Sequence, residues 1–479
     1  TVRHPDMCGI VGIHYFDRAR SVELAHLRAM TDAIVHRGPD DEGHAAFGHT
    51  GFGMRRLSII DLGGGHQPMA AGAGDRYWII FNGEIYNYQG IREELIAKGH
   101  TFRTHSDTEV IVQLYADRGA ECVHALNGMF AFAIWDTQAR TLFLARDRMG
   151  VKPLYYAQTP TAFLFGSEIK TLFASRLIAP ERRDESLVEY CLFRQVAGPD
   201  TMFRGVHSLP PGCHMTVRDH RATITRYWSP RPSGPVAAIG FEDAVTQLSA
   251  LLEDSVRLRL IADVPVGTFC SGGVDSSLVT ALAAKLKRDP VNTYSVGFAE
   301  ADFDESAYAQ LVSKQYGTTH HELRVGNVEF TELLPKMVWH NDEPLDFANS
   351  VHIFALSRLA RERVIVVLTG EGSDELFGGY PRYRIPELAR RCDLVVVIGG
   401  ANSNNTQELV ATCRRLCERV YHVQSAADLH ATWFAEAETI GLTAGTSTPD
   451  AVIEGVQRWL EEFARFQQRL AEESGSRSS

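Results

Sequence analysis

The segment SGGVDSS, residues 271–277, has the residue types and spacing to bind pyrophosphate. Gly272 and Gly273 let the backbone approach a ligand closely and direct successive N–H groups at it, and a helix starting after them would add its positive end. The other polar side chains are hydroxyl donors and one carboxylate able to hold Mg²⁺: Ser271, Ser276, Ser277 and Asp275. A Ser/Gly-rich surface turn is the alternative interpretation, which seven ordered residues between a strand and a helix disfavour.

An acidic segment follows a second apolar run along the chain. Val264–Cys270 precedes SGGVDSS, and Val364–Thr369 precedes GEGSDE, residues 370–375. Both runs are typical of strands buried on two faces of a parallel sheet. Because ligands of such sheets bind at the carboxyl ends of the strands, we expect both polar segments at one edge.

SGGVDSS resembles the PP-loop of the ATP pyrophosphatases, enzymes that adenylylate a carboxylate or carbonyl and release pyrophosphate. The Gly-Lys-Ser/Thr that completes a Walker P-loop does not follow it. The resemblance implies that Asp275 and Asp374 hold Mg²⁺ and that Glu371 lies where the acceptor is activated and deprotonates incoming ammonium. Beyond SGGVDSS itself, it assigns ATP binding to Val296, Gly297, Gly370 and Glu371. Residues 342–344, Asp-Glu-Pro, either flank this cleft or form an acidic helix cap.

A cysteine directly after a methionine, Met7-Cys8, would supply a second kind of chemistry. If residues 1–7 are absent, the α-amine of Cys8, whose ordinary pKa is about 8, can act as the base for its thiol. A lone cysteine near a terminus is more often a small buried hydrophobe. Here four motifs follow it in order: HRGPD (36–40), RLSIID (56–61), FNGEIYN (81–87) and SDTE (106–109).

This series resembles the class II glutamine amidotransferases, whose nucleophile is the N-terminal residue. The resemblance implies a four-layer αββα sandwich carrying a glutaminase site. The implied roles are nucleophile for Cys8, oxyanion hole for the Asn82 side chain and the Gly83 N–H, and glutamine binding for Arg56, Asn82, Glu84 and Asp107. A guanidinium suits the clamping of an α-carboxylate, and carboxylates suit an α-amine. His36 and Arg37 are expected to shape a loop.

Together the motifs resemble glutamine-hydrolysing asparagine synthetase over residues 8–385. The resemblance implies glutamine, aspartate and ATP as substrates, Mg²⁺ as cofactor, and ammonia passing through the interior to an aspartyl adenylate. It leaves a homodimer open. Sugar and nucleotide amidotransferases join the same glutaminase to other domains, so SGGVDSS disfavours them. Another acceptor carboxylate, or a binding relic without activity, stays open.

Composition fits a chain of two or three domains with real cores. The 479 residues are 44% hydrophobic and 22% charged, with a net charge of −11 that disfavours a nucleic-acid partner. No apolar run approaches the length of a membrane span, and no secretory signal pattern opens the chain. The eight scattered cysteines are typical of a reducing compartment, so we expect a cytoplasmic protein.

The pattern of apolar residues predicts an α/β multidomain protein. Residues 8–228 hold short β-type runs and two helical segments, Ser21–Val35 and Asp107–Asp117. The predicted strands are Gly51–Ile60, Tyr77–Phe81, Met129–Asp136, Thr141–Ala145 and Ala162–Phe165. A Pro/Gly/Ser-rich linker covers residues 229–240. From 241 to 385, strands alternate with helices, as in a doubly wound parallel sheet. They are Val264–Cys270, Val291–Phe298 and Val364–Thr369, with helices Ser276–Leu286 and Ser350–Arg361.

Residues 386–479 change character again and predict a further α/β lobe. Their strand and loop, residues 392–406, resemble the C-terminal third of hydroxymethylbutenyl diphosphate reductase, an iron–sulfur enzyme. In that family the loop matching Asn402–Asn405 and the serine matching Ser447 hold a diphosphate. The cluster cysteines have no counterparts here, so a reductase is excluded while a vestigial anion site stays open. A genuine gene fusion, a frameshift or an assembly splice near residues 384–394 would each produce this junction, and the synthetase domain of residues 241–385 would then be truncated.

Overall fold

The computed structural model describes residues 7–72, 74–231, 239–297, 306–345, 349–379, 381–401, 403–434, 436–445 and 448–475. The chain forms two compact units, residues 1–370 and 371–479. None of the helices in these described ranges is long and apolar enough to cross a membrane.

Two antiparallel six-stranded sheets build the N-terminal half of the first unit. One sheet has the order β10-β8-β9-β1-β3-β2 and the other β12-β11-β7-β6-β5-β4. The strands are β1 (Gly9–Tyr15), β2 (Asp41–Phe47), β3 (Thr50–Arg56), β4 (Met69–Ala71), β5 (Tyr77–Ile85), β6 (Gly128–Asp136), β7 (Thr141–Arg146), β8 (Tyr155–Gln158), β9 (Ala162–Gly166), β10 (Val206–Ser208), β11 (Cys213–Arg218) and β12 (Arg221–Arg226). The helices of this half are α1 (Leu24–Asp32), α2 (Tyr88–Ala97), α3 (Asp107–Arg118), α4 (Cys122–Ala125), α5 (Ile169–Ala174) and α6 (Glu185–Phe193).

Three apolar clusters show that these elements form four layers. One cluster fills the space between the two sheets and includes Phe52, Trp135 and Phe165. A second packs α1 and α5 on the outer face of the first sheet, and a third packs α2 and α3 on the outer face of the second. Because strands alternate their side chains between two faces, each sheet can serve two clusters at once. The predicted αββα sandwich is therefore confirmed.

A parallel four-stranded sheet with order β15-β14-β13-β16 forms the other half of this unit. Its strands are β13 (Val266–Phe269), β14 (Asn292–Gly297), β15 (Thr319–Arg324) and β16 (Val366–Leu368). The helices are α7 (Phe241–Arg259), α8 (Val274–Leu286), α9 (Ser306–Tyr316), α10 (Asn327–Asn341) and α11 (Asn349–Arg361). The predicted change from antiparallel to parallel α/β structure is confirmed.

The second unit contains a three-stranded parallel sheet with β17 in the centre. Its strands are β17 (Leu394–Ile398), β18 (Val420–Val423) and β19 (Ile440–Ala444), and its helices are α12 (Ser373–Phe377), α13 (Pro381–Arg391), α14 (Asn404–Arg414) and α15 (Asp450–Gly475). All five residues of β17 are fully buried, because helices cover both faces of the strand. The reductase-like positions Asn402 and Ser447 lie outside the described residues.

Two predicted strands are wrong in their length. The polar residues after Phe81 predict a strand that ends there, whereas β5 continues to Ile85 because these residues pair with β6. The apolar pattern predicts a strand over Gly51–Ile60, whereas β3 ends at Arg56. Beyond it the chain turns into a loop whose carbonyl groups at Ile60, Asp61 and Leu62 accept hydrogen bonds from the Arg56 guanidinium. Apolar residues in this loop line a cavity instead of continuing the sheet.

Candidate active site

A cavity at the end of the sandwich brings together the residues expected to act on glutamine. Cys8 immediately precedes β1, and its thiol accepts a hydrogen bond from Leu57 N at 3.4 Å and lies 3.4 Å from Leu57 O. Burial raises the pKa of the Cys8 thiol, even though positive charges at Arg56, Lys152 and Arg37 act in the opposite direction. A thiol with a raised pKa needs a base nearby to become a nucleophile.

Asn82 contributes a buried hydrogen-bond donor that nothing in the described chain occupies. Only 1% of its surface is exposed, yet its Nδ2 has no hydrogen-bond partner among the described residues. Such an unmet donor is costly unless a ligand uses it. The next residue, Gly83, has its neighbouring strand so close that an added Cβ would lie 2.2 Å from Met129 O. Only glycine therefore fits at position 83, where β5 both pairs with its neighbouring strand and lines the cavity.

Two carboxyl groups lie at the same cavity, from β5 and from the first turn of α3. Burial and then the charge of Asp107 raise the pKa of Glu84 to about 7. Burial raises the pKa of Asp107 to about 6, although Ile85 N donates to its Oδ2 at 3.0 Å and Arg56 lies near. Two acids that resist ionisation next to each other form a site for a cationic group, since a cation stabilises both charged forms.

Arg56, the last residue of β3, is almost fully buried at the cavity wall. Its Nη2 donates to Ile60 O at 3.0 Å and to Asp61 O at 2.8 Å, and its Nη1 donates to Leu62 O at 3.3 Å. These bonds fix the guanidinium and leave Nε and one Nη1 hydrogen for other acceptors, because a guanidinium has five N–H donors.

Sequence reasoning missed Lys152, which also lines the cavity. Its Nζ lies 3.0 Å from the Met7 sulfur, and its backbone N donates to Asp147 Oδ2 at 3.0 Å. Burial and then the charge of Arg37 lower the pKa of Lys152 to about 8. The sequence signal was a lysine before proline directly after a buried strand and turn, which by itself is too common to indicate a site.

Sequence reasoning also gave Arg37 too small a role. It is expected to shape a loop, and it does, but its Nε donates to the Cys8 carbonyl oxygen at 3.0 Å. Its Nη1 donates to Glu168 Oε1 at 3.0 Å. Glu168 lies 131 residues away in the chain, so no local pattern could have paired the two.

The pyrophosphate-binding segment lies between β13 and α8, as predicted. Gly272 has φ +87° and packs so closely on α9 that an added Cβ would lie 2.4 Å from Tyr308 Cβ. Ser271 Oγ accepts from Gly273 N at 3.3 Å, and Ser276 Oγ accepts from Ser271 N at 3.2 Å. These hydrogen bonds within the loop stabilise a tight turn whose residues are partly or fully exposed to solvent.

Three strand ends meet at this edge of the sheet. β13 lies between β14 and β16 with all three parallel, so Val296 and Gly297 end one neighbouring strand and Gly370 follows the other. An added Cβ on Gly370 would lie 2.9 Å from Ser276 N and 3.0 Å from Asp275 Cβ. The Oγ of Ser277 is buried there without a partner among the described residues. A narrow cradle with an unused hydroxyl fits a polyphosphate.

The remaining acidic positions fall into two groups. Glu371 and Asp374 belong to the second unit, where Asp374 lies in the first turn of α12 and accepts Gly379 N on its backbone oxygen at 3.0 Å. Asp342 ends α10 with a left-handed backbone and forms an ion pair with Lys170 at 2.9 Å. Glu343 Oε1 accepts from Met202 N at 2.6 Å. Asp342 and Glu343 therefore contact the sandwich.

Comparison with known proteins identifies two domains along the chain. Residues 7–228 match the sequence profile of the glutamine amidotransferase domain, and residues 247–473 match that of asparagine synthase. The chain is 40% identical over 385 residues to asparagine synthetase (glutamine-hydrolysing) 1 of Bacillus subtilis, covering 79% of this chain and 60% of that protein. It is 35% identical over 397 residues to putative asparagine synthetase (glutamine-hydrolysing) 2 of Methanocaldococcus jannaschii, covering 78% of this chain and 76% of that protein.

A solved structure of 4-hydroxy-3-methyl-but-2-enyl diphosphate reductase is also similar, at 16% identity and a TM-score of 0.18 over 46% of this chain and 94% of that chain. That likeness is too weak to support an argument. The chain spans about 60% of the length of the Bacillus subtilis relative. Identity at this level over most of the chain, with both sequence profiles in order, shows that the chain belongs to the family of glutamine-hydrolysing asparagine synthetases.

Proposed function

We propose that this chain hydrolyses glutamine at Cys8 and transfers the ammonia to an ATP-activated aspartate, giving asparagine, glutamate, AMP and pyrophosphate. The observation that carries the proposal is the cavity around Cys8, where a buried amide donor without a partner and two acids of raised pKa converge. Acyl transfer at neutral pH requires this combination of a nucleophile, an oxyanion donor and groups that orient the substrate.

The glutaminase half-reaction begins with proton transfer from the thiol. In a chain that begins at Cys8, its α-amine accepts this proton, and the sulfur attacks the side-chain amide carbon of glutamine. Asn82 Nδ2 and Gly83 N–H donate to the oxygen that becomes negative in the tetrahedral intermediate. The amine returns the proton to the leaving nitrogen, ammonia departs, and a thioester remains on Cys8. Water then hydrolyses the thioester to glutamate and restores the thiol.

The two ends of glutamine would be held by opposite charges. Arg56 binds the α-carboxylate through its remaining N–H groups, and Glu84 and Asp107 bind the α-ammonium. Binding the ammonium offsets the repulsion between the two acids, so both can ionise when glutamine is present. The cavity therefore selects an amino acid with free α-groups over a simple amide.

The second half-reaction would use the loop after β13. Backbone N–H groups at Gly272 and Gly273 and the hydroxyls of Ser271, Ser276 and Ser277 bind the pyrophosphate of ATP, with Val296, Gly297 and Gly370 beside them. Asp275 and Asp374 supply oxygen ligands of the kind Mg²⁺ prefers. When bound, Mg²⁺ offsets the charge of the leaving pyrophosphate. Glu371 deprotonates incoming ammonium, and the ammonia displaces AMP from the aspartyl adenylate.

A second candidate keeps the glutaminase and changes or weakens the synthetase. The family motifs in this chain end near residue 385, where the sequence changes character, although residues 247–473 as a whole match the asparagine synthase profile. The family resemblance implies that part of the acceptor site comes from chain beyond residue 385. A different segment there favours either another acceptor carboxylate or poor coupling between the two reactions.

The experiment that tests the proposal follows both half-reactions in one sample. Chain beginning at Cys8 is supplied with glutamine, ATP, Mg²⁺ and either aspartate or a panel of other carboxylic acids. We expect glutamate, pyrophosphate and an amide to form. Cys8→Ala should abolish glutamate formation and leave ammonia-dependent synthesis, whereas Asp275→Asn or Asp374→Asn should abolish pyrophosphate release and leave glutamate formation. Equal pyrophosphate release without any carboxylic acid would contradict the synthetase assignment.

A further inference from the structure

A chain of buried charges connects the carbonyl group of Cys8 with the end of a helix in the parallel-sheet half of the first unit. Its centre is Glu168, which lies between β9 and α5 and has 2% of its side chain exposed. Glu168 binds three cationic or hydrogen-donating groups, from Arg37, His36 and Lys170. Burial alone would raise the pKa of Glu168, but the His36 bond and the charges of Arg37 and Lys170 lower it far below its usual range.

At one end, this series of buried charged groups holds the backbone of the nucleophile Cys8. Arg37, 1% exposed, holds Glu168 through Nη1 and donates from Nε to Cys8 O, both at 3.0 Å. The Cys8 carbonyl is attached to the same Cα as the thiol side chain. A shift of Arg37 therefore changes where the sulfur lies relative to Asn82, the oxyanion donor.

At the other end, this series of charged groups reaches the end of α10, which lies outside the sandwich. Lys170 Nζ, which also binds Glu168, lies 2.9 Å from Asp342 Oδ1, and Lys170 N donates to Asp342 Oδ2 at 3.3 Å. The side chains of Lys170 and Asp342 are 15% and 6% exposed. Asp342 ends α10, whose Trp339 ring lies 4.5 Å from Lys170 Nζ.

Further contacts hold the same segment on the sandwich. Glu343 accepts from Met202 N at 2.6 Å, and Leu345 O accepts from Tyr190 OH at 2.7 Å. His340, 6% exposed, packs on His36 with ring centroids 4.5 Å apart, and neither of its ring nitrogens has a partner among the described residues. Because the His340 imidazole adds no hydrogen bond of its own, the contacts of Asp342, Glu343 and Leu345 hold the end of α10 on the sandwich.

We propose that Lys170 is a positioning residue for the glutaminase, which holds Glu168 and Arg37 in place for Cys8 only while Asp342 is seated against it. The end of α10 thereby sets the efficiency of glutamine hydrolysis from the other half of the unit. Lys170 is not among the residues that line the cavity around Cys8. The inference rests on the glutaminase activity proposed above.

Loss of the Lys170 charge should lower kcat for glutamine hydrolysis and leave KM for glutamine nearly unchanged. Removing the charge of Lys170 leaves two buried carboxylates without their shared cation, so the Glu168–Arg37 contact must rearrange. Because misplacement of a reacting group by about 1 Å can cost on the order of a hundredfold in rate, kcat should fall strongly. Arg56, Glu84 and Asp107 remain in place, so KM for glutamine should stay nearly the same.

The test measures kcat and KM for glutamine hydrolysis by chains beginning at Cys8 that carry Lys170→Met, Lys170→Arg or Asp342→Asn. We expect kcat to fall by about tenfold or more in Lys170→Met and Asp342→Asn, with KM changed by less than about threefold. Lys170→Arg keeps the cation and should recover most of kcat. The matched control is Lys98→Met, because Lys98 also bridges two carboxylates, at 2.9 and 2.7 Å, but on the exposed surface.

A double variant separates positioning from general loosening of the fold. If Lys170 and Asp342 act through one contact, the double variant should lose no more of kcat than the worse single variant. Additive losses, a proportional rise in KM, or an equal effect of Lys98→Met would overturn the inference.

A chloromethyl ketone analogue of glutamine provides a second readout, since its alkylation of Cys8 needs no turnover. The maximal alkylation rate should fall in Lys170→Met while the half-saturating concentration stays the same. If wild-type chain is alkylated but produces no glutamate, the proposed function fails while this inference is still decided by the alkylation rates. Wild-type alkylation rates in Lys170→Met and Asp342→Asn would contradict it.

Discussion

The thiol of Cys8 is fixed against Leu57, whose backbone N–H lies 3.4 Å from the sulfur. Leu57 directly follows Arg56, the last residue of β3 and the cation assigned to the α-carboxylate of glutamine. The nucleophile and the carboxylate clamp are therefore held at a constant separation by one peptide unit. A substrate bound by its α-carboxylate would present its side-chain amide at a fixed distance from the sulfur.

The unpartnered Nδ2 of Asn82 predicts a large effect on rate with little effect on binding. Asn82→Ala should lower kcat for glutamine hydrolysis by roughly a hundredfold to a thousandfold, because the oxyanion loses a preorganised donor. KM should change by less than about threefold, since the α-groups of glutamine bind elsewhere. Steady-state glutamate formation measures both constants.

The control for this variant is Asn87→Ala, which removes an amide that is already bonded to Ala125 O at 2.9 Å outside the cavity. It should lower stability and leave kcat near the wild-type value. A normal kcat in Asn82→Ala would mean that another group stabilises the oxyanion.

The raised pKa of Glu84, about 7 instead of 4.5, predicts how glutamine binding depends on pH. Below neutrality Glu84 is protonated and cannot attract the α-ammonium, so KM for glutamine should rise as pH falls. Glu84→Gln should raise KM at high pH and weaken this dependence, leaving only the part that comes from Asp107, whose pKa is about 6. Initial rates over a pH series on either side of neutrality provide the measurement.

Glu84 affects the stability of the fold in the opposite direction to glutamine binding, because low pH weakens binding but favours the folded state. The folded chain binds the proton of Glu84 more tightly than the unfolded chain does, so the contribution to stability is present at low pH and is lost as pH rises through about 7. Glu84→Gln should thus be more stable than wild type to urea above neutrality, with the difference shrinking below it. A destabilised Glu84→Gln at high pH would argue against a buried, hard-to-ionise carboxyl.

The left-handed backbone of Gly272 predicts a selective loss of ATP turnover. Gly272→Ala would place a methyl group 2.4 Å from Tyr308 Cβ, far closer than two non-bonded carbons can approach, in a conformation that side chains disfavour. The loop must move, and pyrophosphate release with saturating ammonia should be lost while glutamate formation stays normal.

Gly90→Ala is the matched control, because nothing lies within 4 Å of its added Cβ and its φ is not positive. It should leave both activities intact. Normal pyrophosphate release in Gly272→Ala would show that ATP binds away from this loop.

Local patterns predicted three of the four strands of the parallel sheet to within two residues at each end, because buried strands are continuous apolar runs bounded by polar turns. They missed β15, Thr319–Arg324, whose sequence THHELR contains only one aliphatic residue. The same reasoning extended β3 to Ile60, since it cannot see that the Arg56 guanidinium folds the following loop around itself. It placed Cys8, Asn82 and Asp107 in one site only through ordered motifs. The hydrogen bond between Arg37 and Glu168 depends on tertiary packing, so neither local sequence predicts it.

The change in sequence character after residue 385 predicts imperfect coupling. With glutamine, ATP and aspartate together, glutamate should form in excess of AMP, because the sequence predicts a different segment where the family resemblance places part of the acceptor site. Losing one preorganised cation from such a site costs on the order of a hundredfold in rate. Glutamate and AMP formed one to one, with asparagine accumulating at the same pace, would show a complete synthetase site.

The most direct test of the glutaminase at Cys8 compares two preparations of the chain, one beginning at Cys8 and one retaining residues 1–7. In the longer chain the Cys8 nitrogen is an amide that cannot accept a proton, and Met7 lies at the cavity with its sulfur 3.0 Å from Lys152 Nζ. Glutamate formation is measured with intact mass recorded on the same samples. Only the chain beginning at Cys8 should release glutamate, and Cys8→Ala should abolish that release. Full activity in chain that still carries Thr1, or activity that survives Cys8→Ala, would contradict this assignment of the nucleophile.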